Sequence, residues 1–261
     1  MAIKAQHVSY SIMEKAILHD ISLHVQQDEV VGLIGPNGSG KSTLLKNMYR
    51  LLKPQQGQII LYDEDISKQA DKEIAKKMAV VGQESPVLFD FSVRDIVAMG
   101  RAPHQKLFAM DAKEDALIID RSLAQAGITH LASRDFSSLS GGEKKRAIIA
   151  RALTQQANLL ILDEPTNHLD IKHQLQVMDL IDSLQLTVLA ALHDLNIAAA
   201  YCDRIYVLQQ GCVVTSGTPA DVLTPQLLRE VFEVHAEVIT HPVTKRPSIT
   251  YLSEKQLRER L

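Results

Sequence analysis

Lys41 stands near the end of the run Gly35-Pro36-Asn37-Gly38-Ser39-Gly40-Lys41-Ser42-Thr43, which fits the phosphate-binding pattern GxxxxGK[ST]. Glycines let a backbone wrap closely enough to aim several N–H groups at phosphate oxygens. In such a loop the lysine reaches the β- and γ-phosphates and the Ser42 hydroxyl ligates magnesium. The preceding Val30-Val31-Gly32-Leu33-Ile34 reads as a buried strand, and Leu44, Leu45 and Met48 follow at helical spacing. The loop therefore opens a helix whose dipole favours an anion. A dinucleotide-binding turn would need glycine at position 43, where Thr43 stands. These residues imply a nucleoside triphosphate site.

Two further groups of residues narrow the chemistry. Leu139-Ser140-Gly141-Gly142-Glu143 precedes the apolar stripe Ile148, Ile149, Ala152 and Leu153, so Ser140 to Gly142 open a second helix. By itself this is also what a serine N-cap with a glycine-rich approach looks like. As an anion site, it would be superfluous in a chain acting alone, whereas a head-to-tail pair of copies would use both sites on each nucleotide. Leu159-Leu160-Ile161-Leu162 is apolar without alternation, as in a parallel strand buried on both faces, and Asp163-Glu164 sits at its carboxyl end. Asp163 is placed to hold magnesium through water, and Glu164 to polarise the water that attacks a γ-phosphate.

Together these motifs resemble the ATP-binding cassette ATPases over nearly the whole chain. Gly35 to Ser42 resembles Walker A, Leu139 to Glu143 the signature motif, and Leu159 to Glu164 Walker B. Pro165-Thr166-Asn167-His168-Leu169-Asp170 is similar to the D-loop, His193 to the switch histidine, Gln83 to the Q-loop glutamine and Tyr10 to the aromatic residue that stacks on adenine. The resemblance implies catalytic roles for Glu164, His193 and Gln83, and magnesium held by Ser42, Gln83 and Asp163. It also implies that Ser140, Gly141, Gly142 and Glu143 act in trans and that Asp170 lies where subunits communicate. Glu143 departs from the pattern, since glutamine is the commonest residue there.

The implied fold is α/β, a P-loop NTPase cassette with a mainly parallel core sheet, an N-terminal antiparallel β layer and an inserted helical subdomain. We expect one domain over residues 1–261, with the core and β layer in 1–83 and 156–261 and the helical subdomain in 84–155. Ile21, Leu23 and Val25 alternate with polar residues, as in a half-exposed strand. From Ser92 to Leu153 the pattern is mainly helical. Past His193 we expect a short helix over Leu195 to Cys202, a strand over Ile205 to Leu208, a turn at Gln210-Gly211, a helix near Pro225 to Val234 and a charged end, Glu254 to Arg260.

Composition limits the function classes. Charge is nearly balanced, 28 basic against 31 acidic residues, which gives no nucleic-acid surface and no polybasic membrane anchor. No apolar run approaches the roughly 18 residues of a transmembrane helix, and Met1 to His7 lacks a signal-peptide core. Cys202 and Cys212 read as core thiols, and the basic run Lys144-Lys145-Arg146 as a solvated face. On composition the chain is expected to be soluble and cytosolic on its own; what the family resemblance implies is a peripheral place at the cytoplasmic face of the cell membrane.

Within the family, the resemblance is closest to importer ATPases for iron–siderophore, haem and cobalamin. It is carried by His193-Asp194-Leu195-Asn196, Cys202-Asp203-Arg204, Gly217-Thr218-Pro219, Asp221-Val222-Leu223-Thr224, and by Val93 to Val97 with Gly100-Arg101 and Pro103-His104. The implied partners are transmembrane permease subunits, a second copy in an ATP-sandwich homodimer and, indirectly, a substrate-binding protein. A coupling surface would lie at Gln83, Val87, Phe89 and Phe91, with core packing as the rival reading of the apolar residues. Ferric siderophore is the first-choice cargo, with haem or cobalamin the alternative. A soluble, non-transport cassette ATPase is the rival class, but its usual second cassette or long coiled-coil insertion has no room here.

Overall fold

The structure, a computed structural model, describes residues 1–82, 91–105 and 112–258. Gln83, Val87, Leu88 and Phe89 lie outside them, as do the last residues of the charged end. The chain packs into two compact units, Met1–Ser67 with Leu189–Leu261, and Lys68–Val188.

The first unit begins with β1 (Ile3–Ile12), β2 (Lys15–Val25), β3 (Val30–Ile34), α1 (Lys41–Met48), β4 (Gln56–Leu61) and β5 (Glu64–Asp65). The alternation in β2 puts Ile21, Leu23 and Val25 in the core and leaves Ser22 exposed. β1 is flanked by β2 and β4, both antiparallel to it, and β4 continues to β5, so the expected antiparallel layer is formed. In β3, Val31, Leu33 and Ile34 are fully buried.

The second unit holds α2 (Asp71–Lys77), β6 (Met78–Val81), α3 (Val93–Ala98), α4 (Ala112–Gln125), α5 (Gly141–Thr154), β7 (Leu159–Asp163) and α6 (Ile171–Ser183). Its non-alternating strands β6 and β7 pair in parallel from Met78↔Leu159 to Val81↔Leu162. Its helices close on one apolar cluster in which Val93, Ile96 and Val97 of α3 meet Leu123 of α4, Phe136, Leu139, and Ala147 and Ala150 of α5. That cluster fixes the axis of α5 and hence the position of Ser140 at its start. Lys145, expected on a solvated face, is buried, because α5 is wrapped on more than one side.

β8 (Thr187–Ala191) crosses the boundary between the units and is buried throughout. The first unit resumes with α7 (Leu195–Tyr201), β9 (Arg204–Gln209), β10 (Cys212–Gly217), α8 (Pro219–Val222), α9 (Pro225–Phe232), β11 (His235–Thr240), β12 (Pro247–Leu252) and α10 (Glu254–Arg258). β9 runs parallel to β3, with Val31 opposite Arg204 and Ile34 opposite Val207, and β10 returns antiparallel. The turn between them is Gln210-Gly211, with φ 49° and 77°, the geometry of a tight two-residue hairpin. Parallel core pairs and the antiparallel layer together bear out the α/β expectation. Both cysteines are free, but only Cys202 is a core thiol, its pKa pushed up to about 12 by burial. Cys212, which opens a strand exposed along one face, is exposed and corrects the expectation.

Candidate functional site

In the first unit the loop between β3 and α1 curls around its own lysine. The Lys41 ammonium donates to the carbonyls of Gly35 (2.7 Å) and Pro36 (3.1 Å), which holds a buried cation within the curve. Gly35 adopts φ 151°, and a Cβ there would lie 2.0 Å from the Leu208 carbonyl oxygen, so the chain can pass this point only without a side chain. Ser39 donates its N–H to Pro36 O, its carbonyl accepts from Gly211 N, and Gly211 O accepts from His19 N. The hairpin turn and β2 thus anchor the far side of the loop. The Ser39 hydroxyl is buried with no partner among the described residues. A buried ammonium, an orphaned hydroxyl and a helix start together fit a polyanion such as a triphosphate.

Tyr10 and His193 belong to the same unit. Tyr10 is half-buried on β1 opposite Leu18, whose side chain fills the space beside Gly40. Leu192, just past β8, donates its N–H to Leu33 O at 3.0 Å. The exposed His193 therefore leaves the end of β8 alongside the end of β3, two residues before the loop begins. Asp194 then caps α7 by accepting from the N–H groups of Asn196 and Ile197.

In the second unit, β7 is buried from Leu159 to Asp163, and Asp163 itself is 2% exposed. Glu164 follows with φ 55°, a left-handed conformation unusual for a residue with a Cβ. That turn takes the half-buried Glu164 off the strand line, and its Oε2 accepts from Asn167 Nδ2 at 2.9 Å. His168 is also left-handed, at φ 61°. Backbone strain repeated within five residues has to be stabilised from outside, and the Gln174 amide does so by donating to Leu169 O at 3.0 Å. Asp170 then caps α6 by accepting from His173 N.

Ser140 caps α5 in a reciprocal box: its N–H and hydroxyl donate to Glu143 Oε2 at 2.8 and 2.7 Å, and Glu143 N–H donates back to Ser140 Oγ. Those bonds hold the Glu143 carboxyl below the usual carboxylate range. The far end of α5 is held equally firmly. Arg101, buried, donates to Asp115 Oδ1 (2.7 Å), Thr154 O (2.8 Å) and Gln156 Oε1 (2.8 Å), while His104 Nε2 meets Gln155 O at 2.8 Å.

By unit, Gly35 to Thr43, Tyr10 and His193 fall in the first, and Asp163, Glu164, Asp170 and Ser140 to Glu143 in the second. Gln83 lies outside the described residues. Sequence reasoning left out Asn167, His173 and Gln174, although all three lie inside or just after the Pro165 to Asp170 string. Asn167 and His173 each sit three residues after an acid, the spacing at which a loop or first helical turn brings side chains together.

Among the described residues no helix is long and apolar enough to cross a membrane. The chain is 39% identical over 252 residues to the iron(3+)-hydroxamate import ATP-binding protein FhuC of Bacillus subtilis, covering 94% of each. It is 40% identical to the hemin import ATP-binding protein HmuV of Thermobifida fusca, over 94% of this chain and 87% of that one. It is 41% identical to the cobalamin import ATP-binding protein BtuD of Halobacterium salinarum over 92% of its length, and there it spans 61% of the relative. A solved dimer of the ATP-binding cassette MJ0796, in a post-hydrolysis state with ADP and Pi, superposes with TM-score 0.72 at 28% identity, over 83% of this chain and 98% of that one. Residues 18–167 match the ABC transporter family, and with these relatives that establishes the chain as a member of it.

Proposed function

We propose that this chain is the ATP-hydrolysing subunit of a membrane importer for a ferric siderophore or a related metal chelate. The observation that carries the ATPase reading is the buried Lys41 ammonium inside the loop at the start of α1. The names of the relatives support the cargo class, with haem and cobalamin as the alternatives. Residue roles follow from phosphoryl-transfer chemistry, in which catalysis is positioning plus electrostatics. Lys41 and the N–H groups of Gly35 to Thr43 neutralise the β- and γ-phosphates, and Tyr10 stacks on the base. Ser42, Asp163 and Gln83 are the residues that would hold Mg2+, which when bound would supply further charge neutralisation. Glu164, oriented by Asn167, takes the proton side of the attacking water, and His193 hydrogen-bonds the γ-phosphate.

Ser140 to Glu143 serve a second copy of the chain, and Asp170 relays between copies. Residues 84–155 form the helical subdomain through which permease subunits couple, with the chain peripheral to the cytoplasmic face of the membrane. A substrate-binding protein takes part only through the permease. Glu164→Gln tests the chemistry: it keeps the shape and the Asn167 bond but removes the charge that polarises water. Steady-state turnover should fall at least ~100-fold with MgATP affinity almost unchanged. Turnover at the wild-type rate would refute the role of Glu164. Recovery of a permease by pull-down from membranes supports transport, and recovery only of soluble assemblies would overturn it.

A further inference from the structure

One contact in the second unit joins two motifs that have separate assignments. The inner side of Gly142 is filled by another residue: a Cβ there would lie 2.5 Å from His173 Cδ2, 2.8 Å from Cγ and 3.2 Å from Cβ. Real Cβ atoms do not approach carbon so closely, so the second glycine of the signature lies directly on the imidazole. That ring is itself held. His173 Nδ1 lies 2.7 Å from Asp170 Oδ1, and His173 N–H donates to the same oxygen at 2.9 Å. Both bonds keep the Asp170 carboxyl below its usual range. An ionised carboxylate only accepts, so Nδ1 carries the proton and the ring orientation is set by Asp170. Leu169, one residue earlier, reaches Gly141 at 3.6 Å from a Cβ built there, and its carbonyl is tied to Gln174.

We infer that His173 is a positioning residue: its ring, pinned by Asp170, is the support on which Gly142 rests, so the D-loop and the signature loop move together. This rests on the composite-site reading above, in which both loops face a second copy. The physical consequence is direct. Gly142 must bring its N–H close to a phosphate that the other copy holds, and its depth is limited by the imidazole beneath it. A displacement of Asp170 tilts the ring and with it the glycine. Closure at one nucleotide is then felt at the D-loop through one side chain, with no bulk movement of α5 or α6. Gly142 is small because of what lies inside it, in addition to any demand from the phosphate outside.

The test is a double-mutant cycle with Gly142→Ala and His173→Ala, read as kcat and KM for MgATP in the full chain with Glu164 intact. Gly142→Ala alone should lower kcat severely, because its methyl drives into the ring. In the His173→Ala background the same methyl has room, so its effect should shrink by about tenfold or more, with KM unchanged throughout. Additive effects, or a rise in KM matching the fall in kcat, would overturn the inference. Hydrogen exchange on the isolated chain covers the case in which turnover is absent. His173→Ala should accelerate exchange in residues 143–147 and leave α1 as in wild type, whereas unchanged exchange at 143–147 overturns the proposal. His173→Asn retains a donor for Asp170 and should recover part of both losses; recovery no better than alanine would leave the Asp170 bond without a role. A parent protein that neither binds nor hydrolyses ATP refutes the underlying reading, and the exchange result still judges the support of Gly142.

Discussion

Replacing Arg101 with alanine should unfasten the carboxyl end of the signature helix. The Arg101 side chain is 7% exposed, and that of its ion-pair partner Asp115 19%. One side chain holds three acceptors: the Asp115 carboxylate, the Thr154 carbonyl in the last turn of α5, and the Gln156 side chain. Alanine removes every donor and leaves a largely buried carboxylate and an orphaned helix carbonyl. Breaking a buried ion pair from one side costs about 3–5 kcal/mol, and the partial exposure of Asp115 argues for the lower end. For a chain of this size about 3 kcal/mol corresponds to a fall of roughly 6–12 °C in Tm. Lysine restores one charge but not the planar fork, so Arg101→Lys should recover less than half of the loss. Differential scanning calorimetry measures the shift, and hydrogen exchange locates it, with protection expected to fall in α5 before β3. An Arg101→Ala protein that melts within about 2 °C of wild type would refute the reasoning, because it would mean the three bonds contribute less than ~1 kcal/mol together.

Two further outcomes are expected. Lys41→Ala removes the buried ammonium from the loop and should weaken MgATP binding about 10- to 100-fold, the equivalent of one lost charge-assisted bond; unchanged affinity in titration calorimetry would sink the phosphate-loop role. Desolvation first, then the Arg204 charge, lowers the His24 pKa, against an opposing pull from Glu29. Neutral in the fold, where Arg204 Nη1 lies 2.7 Å from its Nε2, His24 contributes stability that is complete above its unfolded pKa of about 6.5 and is lost as pH falls through the lower folded value. Melting curves from pH 7.5 to 5.5 should therefore fall less steeply in His24→Gln than in wild type, and equal slopes would refute the linkage.

Much of the site was legible because its motifs are local. The loop from Gly35 to Thr43 would grip a phosphate with its own backbone, so strand, glycines and helix appear in one contiguous string. β7 announced itself by lacking alternation, and Ser140 by standing before two glycines and an apolar stripe, while its reciprocal capping box with Glu143 emerged only from the structure. What stayed hidden depends on tertiary neighbours. Nothing in the string Lys144-Lys145-Arg146 tells which residue the helix will turn inward, and Lys145 is buried only because α5 is enclosed on several sides. Cys202 and Cys212 look alike in sequence, yet one ends under β3 beside Gly32 and the other opens a strand with an exposed face. Arg101 was quoted only as part of a resemblance, since its acceptors lie 14 to 55 residues away. The pairing of Gly142 with His173 is of the same kind.

A common economy runs through the second unit: the side chains that terminate its helices are also those that the proposed partner copy would meet. A serine, a glutamate and an aspartate occupy the starts of α5 and α6, where free N–H groups call for an acceptor. An incoming phosphate satisfies the same N–H groups with more charge. The Ser140 hydroxyl now donates to Glu143 at 2.7 Å, so it can donate to a phosphate only by leaving that carboxylate. A bond to a carboxylate is stronger than one to the neutral amide of a glutamine, and at this exposed position solvent screening leaves it worth about 1 kcal/mol or less. Glu143 therefore does more than fill a position where glutamine is commoner: it holds Ser140 in a satisfied capping box, which, on the proposed composite-site reading, ATP on an opposing copy would have to outcompete. In the proposed dimer the same bond that caps α5 would oppose closure. Such a device suits a cassette whose closure is meant to await a partner.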